Sequence, residues 1–210
     1  MDIKAAILHL KKSDSRLSIV IDTIGVVQFQ KQTDSFCFLV SEIVGQMLSI
    51  GVKKVVYNRL KELCNNSITP ISICCLSIEQ LRGIGLSTSK SNYILNLASL
   101  VVNNQIDFAS LETLPDAEVI KYLTTIKGIG NWTAKMYLLF FLQREDVLPY
   151  EDGAFLQAYK WLYNTKVIKP ESIARRCKKW KPYTSIGARY MYRALDTGLT
   201  KIPIEKFLEG

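Results

Sequence analysis

The sequence predicts an all-α fold, and three observations carry that expectation. Apolar residues recur at helical spacing through nearly the whole chain, capping signals stand at the heads of several of those runs, and no segment sustains the two-residue alternation of a half-buried strand. About ten helices joined by short loops are expected, with no low-complexity linker between them.

The elements follow in order. His9 lies in an N-terminal helix, and "FCFLVSEIVGQMLSI" (36–50) spaces its apolar residues for one wide helical stripe. "VKKVVYNRLKELC" (52–64) repeats that pattern after Gly51. "SIEQLRGIG" opens with Ser77 three residues before Gln80, a capping box, and stops at glycines. "TSKSNYILNLASLVVNN" (88–104) is a further amphipathic helix. "LPDAEVIKYLTTI" starts with Pro115 and places Asp116 and Glu118 in its first turn, where acidic groups suit the helix dipole. Then come "WTAKMYLLFFLQ", "GAFLQAYKWLY", "PESIARRCKKW" with Pro170 at its head, and "IGARYMYRALDTG".

Composition bounds the function. The chain has 210 residues, 48% hydrophobic and 22% charged, which suits one large or two small globular domains. Its longest purely apolar run, "MYLLFFL" from Met136 to Leu142, is far short of the roughly 20 residues that span a bilayer. "MDIKAAILHLKK" lacks the apolar core and cleavage site of a signal peptide, so the expected location is the cytoplasm, at the nucleoid, or the nucleus of a eukaryote. Five cysteines form no C-x-x-C pair, which argues for free thiols and against a zinc or iron–sulfur site. With His9 as the only histidine, placed away from every motif, imidazole-based catalysis is disfavoured. Residues 153–210 hold 12 Lys and Arg against 4 Asp and Glu, while residues 1–152 hold 15 of each, so the net charge of +8 lies in the last 58 residues. A polyanion is expected to meet that end. Its densest part, "RRCKKWK" (175–181), mixes five cations with an aromatic, and a solvated helix face would read the same way.

Two short stretches carry chemistry. "IKGIGNWTAK" (126–135) is neither a dinucleotide fingerprint, which needs a third glycine where Thr133 stands, nor a Walker loop, which ends in Gly-Lys-Ser/Thr. It reads as helix, tight turn, helix, with Gly128 ending the first helix in a left-handed conformation and Gly130 leaving room for close approach. Backbone N–H groups at the head of the second helix then suit a phosphate and give binding without sequence preference. A plain αα-corner remains an alternative. In "LPYEDGAF" (148–155), Asp152 stands at the N-cap of a helical run, where it is either a simple cap or a rigid carboxylate aimed at a neighbour, and both roles are compatible.

With "IKGIGNWTA" followed by "VLPYEDGAF", the aspartate 20 residues after the Trp, the chain resembles the helix-hairpin-helix superfamily of DNA glycosylases, and most closely its alkylbase, 3-methyladenine DNA glycosylase II branch. "VGQMLS" (44–49), "LRGIGLSTSKSNYILNLA" (81–98) and "WKPYTSIGARYMYRALD" (180–196) extend the likeness over most of the chain. The resemblance implies two helical lobes with the active cleft between them. Residues 35–145 would form the central lobe, with the helix-hairpin-helix at about 116–142, and residues 1–34 plus 146–210 the other. It implies a monofunctional enzyme that flips a damaged nucleotide out of double-stranded DNA and hydrolyses its N-glycosidic bond.

Residue by residue, Asp152 matches the catalytic aspartate of the family. Trp132 stands where members that also cleave the backbone have a lysine, which implies stacking on an electron-poor base and no Schiff base. Tyr192 matches an aromatic of the base pocket, and Met136 stands where a relative has an aromatic, which leaves the substrate range open. Met47 matches the apolar wedge that fills the gap left by the flipped base, and Gln46 would contact the opposite strand. Lys127, Gly128, Ile129, Gly130 and Thr133 form the phosphate-binding hairpin. Arg175, Arg176, Lys178, Lys179 and Lys181 form a basic DNA surface. No organic cofactor or protein-held metal site is expected, although the family implies a monovalent cation at the hairpin when DNA is bound. The expected substrates are 3-methyladenine and 7-methylguanine, acted on by a monomer. Other lesions (hypoxanthine, etheno-adducts, uracil) and a non-catalytic DNA-binding module are the rival readings.

Overall fold

The computed structural model describes residues 2–27 and 31–208, the side chain of the last excepted, and every described element is helical. The α-helices are α1 (Ile3–Ser13), α2 (Ser15–Ile24), α3 (Ser35–Gly45), α4 (Ile50–Leu63), α5 (Pro70–Cys74), α6 (Ile78–Gly83), α7 (Thr88–Val102), α8 (Asp116–Leu123), α9 (Asn131–Met136), α10 (Gly153–Tyr163), α11 (Pro170–Cys177), α12 (Thr184–Asp196) and α13 (Glu205–Leu208). None of them is long and apolar enough to cross a membrane. Thirteen exceed the ten expected because the N-terminal segment divides at Asp14 into α1 and α2, and because the short α5 and α13 form where no helix was expected; two boundaries also differ. The stripe at 36–50 ends as a helix at Gly45, and Ser49 caps a new helix that takes Ile50 and Gly51 into its first turn. The run after Trp132 widens at Met136 into a π-turn over Tyr137–Phe141.

The chain divides into two compact units, one made of Met1–Lys31 with Gln143–Gly210 and the other of Gln32–Leu142. In the first, α1 packs on α2, and α12 packs on both α2 and α10. Leu10, Leu17, Val20, Phe155, Tyr159, Trp180, Tyr190 and Met191 fill its interior. Asp14 ties the two chain segments together. It caps α2 through Arg16 N and Leu17 N, at 3.1 and 3.2 Å, and accepts hydrogen bonds from the Tyr163 hydroxyl and from Trp180 Nε1 at 2.8 Å. Lys179 Nζ lies 3.1 Å away. Burial works to raise the Asp14 pKa, but the hydrogen bonds from Tyr163, Trp180 and Lys179 outweigh it and hold the carboxyl below its ordinary value.

In the second unit, α7 forms the post. α3, α5 and α6 pack on it, α4 and α9 pack on α3, and α8 packs on α9. Phe36, Leu39, Val40, Ile43 and Val44 on α3 bury one face against Ile94, Leu97 and Ala98 of α7 and their neighbours. Tyr137 stacks on Phe141 with ring centroids 4.7 Å apart, and Phe38 meets both edge-on or tilted.

Candidate active site

In the unit built from both termini, Asp152 is the N-cap of α10. Its Oδ1 accepts the Phe155 N–H at 2.7 Å, and its backbone N–H donates to Pro149 O at 3.0 Å. Phe155 is fully buried and meets Trp180 edge-on at 6.4 Å, so the backbone that aims the carboxylate is anchored in the core. Asp152 itself is 9% exposed. A carboxylate at a helix N-terminus is stabilised by the dipole and has little rotamer freedom. Of the two compatible roles read from sequence, the cap is formed through Oδ1. Tyr192 lies partly buried on α12, the helix that packs against α10.

The basic segment belongs to the same unit. Arg175, Arg176, Lys178, Lys179 and Lys181 are all exposed, but the aromatic among them, Trp180, is fully buried and hydrogen-bonded to Asp14. Three of the cations are partly committed within the protein. Arg176 lies over the Tyr163 ring at 4.8 Å, Lys179 pairs with Asp14, and Lys181 donates to Asp146 at 2.8 Å. Arg175 and Lys178 have no ion pair among the described residues. His9 is less remote than its sequence position suggests. Its Nε2 is 3.2 Å from Lys179 O and its ring meets Tyr183 edge-on at 5.5 Å.

In the central unit the hairpin joins α8 to α9. Gly128 does not end α8, which stops at Leu123, and it adopts φ +94° within the turn itself. Thr124 and Thr125 stop the helix by turning their hydroxyls back onto Ile120 O and Tyr122 O, at 2.8 and 2.7 Å. A Cβ at Gly128 would come 2.3 Å from Cγ of Tyr93 on α7, so the chain's own packing requires glycine there. Gly130 is different. It is exposed, N-caps α9 without a side chain, and a Cβ there would meet nothing within 4 Å. The open side of the hairpin is thus at Gly130 and Lys127. Ile129 and Thr133 point inward, 4% and 1% exposed, so any part they take in phosphate binding is confined to the backbone. Trp132 is half-buried and Met136 buried, one turn apart on α9.

Met47 occupies the turn between α3 and α4, with φ +58° and its side chain fully exposed. A left-handed conformation costs a non-glycine residue roughly 1–2 kcal/mol, and nothing in the protein's own packing repays it here. The apolar pattern that merged 36–50 into one helix was produced by this exposed turn. Gln46 points the other way. Its Nε2 donates to Gly128 O at 2.9 Å and lies 3.4 Å from Thr133 Oγ1, so the side-chain amide read from sequence as a contact to the opposite strand is engaged with the hairpin. Sequence reasoning missed Lys90, whose Nζ donates to Val44 O at 2.8 Å and Gln46 O at 2.6 Å and so caps the end of α3. A lysine near the head of a helix gives no local signal of such a role.

Comparisons with known proteins identify the family. The family model described as HhH-GPD superfamily base excision DNA repair protein matches residues 40–182, a span that runs from α3 through the hairpin and Asp152. Over 193 residues the chain is 26% identical to DNA-3-methyladenine glycosylase 1 of Schizosaccharomyces pombe, covering 89% of this chain and 85% of that protein. A second relative from that yeast, an alkylbase DNA glycosidase-like protein, is 28% identical over 91% of this chain and 93% of its own. Among solved structures, DNA-3-methyladenine glycosidase from Bacillus halodurans superposes with a TM-score of 0.78 at 34% identity, covering 96% of this chain and 94% of that one. The Schizosaccharomyces pombe 3-methyladenine DNA glycosylase in complex with abasic DNA gives 0.82 at 25% identity, with 90% and 96% covered. The chain belongs to the HhH-GPD superfamily of base excision DNA repair proteins, in its alkylbase DNA glycosylase branch.

Proposed function

We propose that this protein is a monofunctional DNA glycosylase that removes 3-methyladenine and 7-methylguanine from double-stranded DNA, acting as a monomer. The observation that carries the reading is Asp152, a carboxylate held at the N-terminus of α10 by the Phe155 N–H and by a core-anchored backbone. Hydrolysis breaks the bond between sugar C1′ and the base nitrogen, and the electron pair leaves with the base. An alkylated purine already carries positive charge, so it departs neutral and needs no general acid. The sugar is left with oxocarbenium character, which a fixed carboxylate stabilises through its charge. Water then bonds C1′ and loses a proton to the medium, leaving an abasic site.

Trp132 supplies the other half of the argument. An indole has no amine to attack the sugar, so no Schiff base forms and the DNA backbone stays intact. Its face suits an electron-poor alkylated base. Met47 is the apolar wedge, a role consistent with an exposed methionine held at positive φ on a turn. The hairpin grips a phosphate on its open Gly130 side, and the exposed cations at 175–181 add affinity that salt weakens. No organic cofactor enters. A monovalent cation at the turn 126–129 would share Ile126 O and Gly128 O with the Ile129 N–H and the Gln46 amide that donate to them, and would add positive charge beside a bound phosphate.

The test is base release from methylated duplex DNA by the wild type and by Asp152→Asn. Asparagine caps helices as well as aspartate does, so α10 stays in place and the variant removes only the charge. The expected loss is on the order of 10²–10³ in single-turnover rate, at unchanged melting temperature. Wild-type rates in the variant would refute the catalytic role. Borohydride trapping is expected to give no covalent adduct, and an adduct would reveal an amine nucleophile.

A further inference from the structure

The turn bearing Met47 and the hairpin bearing Gly128 are 82 residues apart in sequence but are joined by one side chain. Gln46 Nε2 faces the Gly128 carbonyl, so the group presented there must be the NH2, with its second proton toward Thr133 Oγ1. The Gln46 backbone carbonyl is held in turn by Lys90, which has no acceptor capacity and donates to two backbone carbonyls at the end of α3. Burial pulls the Lys90 pKa below its ordinary value, consistent with an ammonium turned into the protein. One turn further along α7, Tyr93 abuts Gly128. A single face of α7 therefore supports both the root of the Met47 turn and the tip of the hairpin. Met47, fully exposed, has no packing of its own to fix its position.

We propose that Gln46, braced by Lys90, is a positioning residue that couples the phosphate-gripping hairpin to the Met47 wedge, so that grip on the backbone sets where the wedge enters. The inference rests on the roles proposed above for Met47 and the hairpin. In it Gln46 acts through Met47 and reads no base. Leucine at 46 keeps the volume and removes the donor, while glutamate puts an acceptor against the Gly128 carbonyl.

The experiment is a double-variant cycle on a lesion duplex with 2-aminopurine beside the damaged base, reading extrusion by fluorescence and base release in a single turnover. Gln46→Leu is expected to lower extrusion and release roughly tenfold while the slope of duplex affinity against salt, which counts charges, is unchanged and the melting temperature holds. Combined with Met47→Ala it should lose no more than Met47→Ala alone. Gln46→Glu should lose more than Gln46→Leu. Losses that add across the pair, or that change with the base opposite the lesion, would assign Gln46 to the opposite strand and overturn the proposal. Amide hydrogen exchange without DNA separates this from the functional reading. Gln46→Leu should speed exchange across residues 127–131 and Met47→Ala should not. Wild-type exchange in Gln46→Leu overturns the coupling whatever the enzyme does to DNA. A wild type that releases no base, with exchange faster in Gln46→Leu, overturns the functional reading and leaves the hydrogen-bonded link supported.

Discussion

Among the residues of the central unit at positive φ, Met47 and Gly128 hold theirs for opposite reasons. Gly128, at +94°, is pressed against Tyr93, and no side chain fits. Met47, at +58°, carries a long side chain wholly in solvent, where a glycine would relieve the backbone. At Gly128 the fold dictates the residue. At Met47 the described neighbours do not dictate the residue, and the proposed wedge is the role that would account for it. The pair shows how to separate a structural constraint from a functional one: ask whether the folded neighbours account for the residue.

The contrast is broken most directly at Gly128. Gly128→Ala must adopt a conformation alanine disfavours and must also displace Tyr93, two penalties that together destabilise the protein by roughly 2–4 kcal/mol. Urea unfolding measures it. Tyr93→Ala in the same chain should recover the steric share, so the two changes together cost less than their sum. Additive losses would mean that Tyr93 does not set the constraint.

Met47→Gly should move stability and activity in opposite directions. Removing the left-handed penalty while adding the backbone entropy of glycine leaves a net gain of up to about 1 kcal/mol. Extrusion and base release should fall, because nothing fills the gap in the stack. A destabilised Met47→Gly would show that the side chain packs on the protein, and the functional account of its exposure would fail.

The same distinction explains what the sequence made legible. The Ser77–Gln80 capping box and the helix starts at Pro115 and Pro170 depend on residues within one turn of each other, and each stands where the spacing places it. Asp152 was legible as an N-cap for that reason. The end of α3 was not. Met47, Leu48 and Ile50 continue the apolar stripe of 36–44, and periodicity cannot tell an apolar residue kept for the core from one kept for a ligand. Nor could the pattern place Trp180. Set among five lysines and arginines it looks like a surface aromatic, yet it is buried and its hydrogen-bond partner, Asp14, lies 166 residues away. The Gln46–Gly128 bond is non-local in the same sense. Family resemblance names such residues, but only the folded chain shows what they touch.

The smallest expected effect is at Gly130, which tests whether the hairpin is more than a corner. Its φ of −99° and ψ of −179° suit any residue, and an added Cβ meets no protein atom. Gly130→Ala should therefore leave stability within about 0.5 kcal/mol of wild type. If a DNA phosphate approaches the head of α9, the methyl group stands in its way, and duplex affinity should fall about fivefold, the equivalent of one ordinary hydrogen bond of about 1 kcal/mol. No charge is lost, so the slope of affinity against salt should not change. Lys127→Met should instead reduce that slope by about one counterion. Fluorescence anisotropy over a salt series separates the two. A Gly130→Ala variant that binds as wild type does at every salt concentration would reduce the hairpin to an αα-corner, with glycine at 130 unexplained by either packing or DNA.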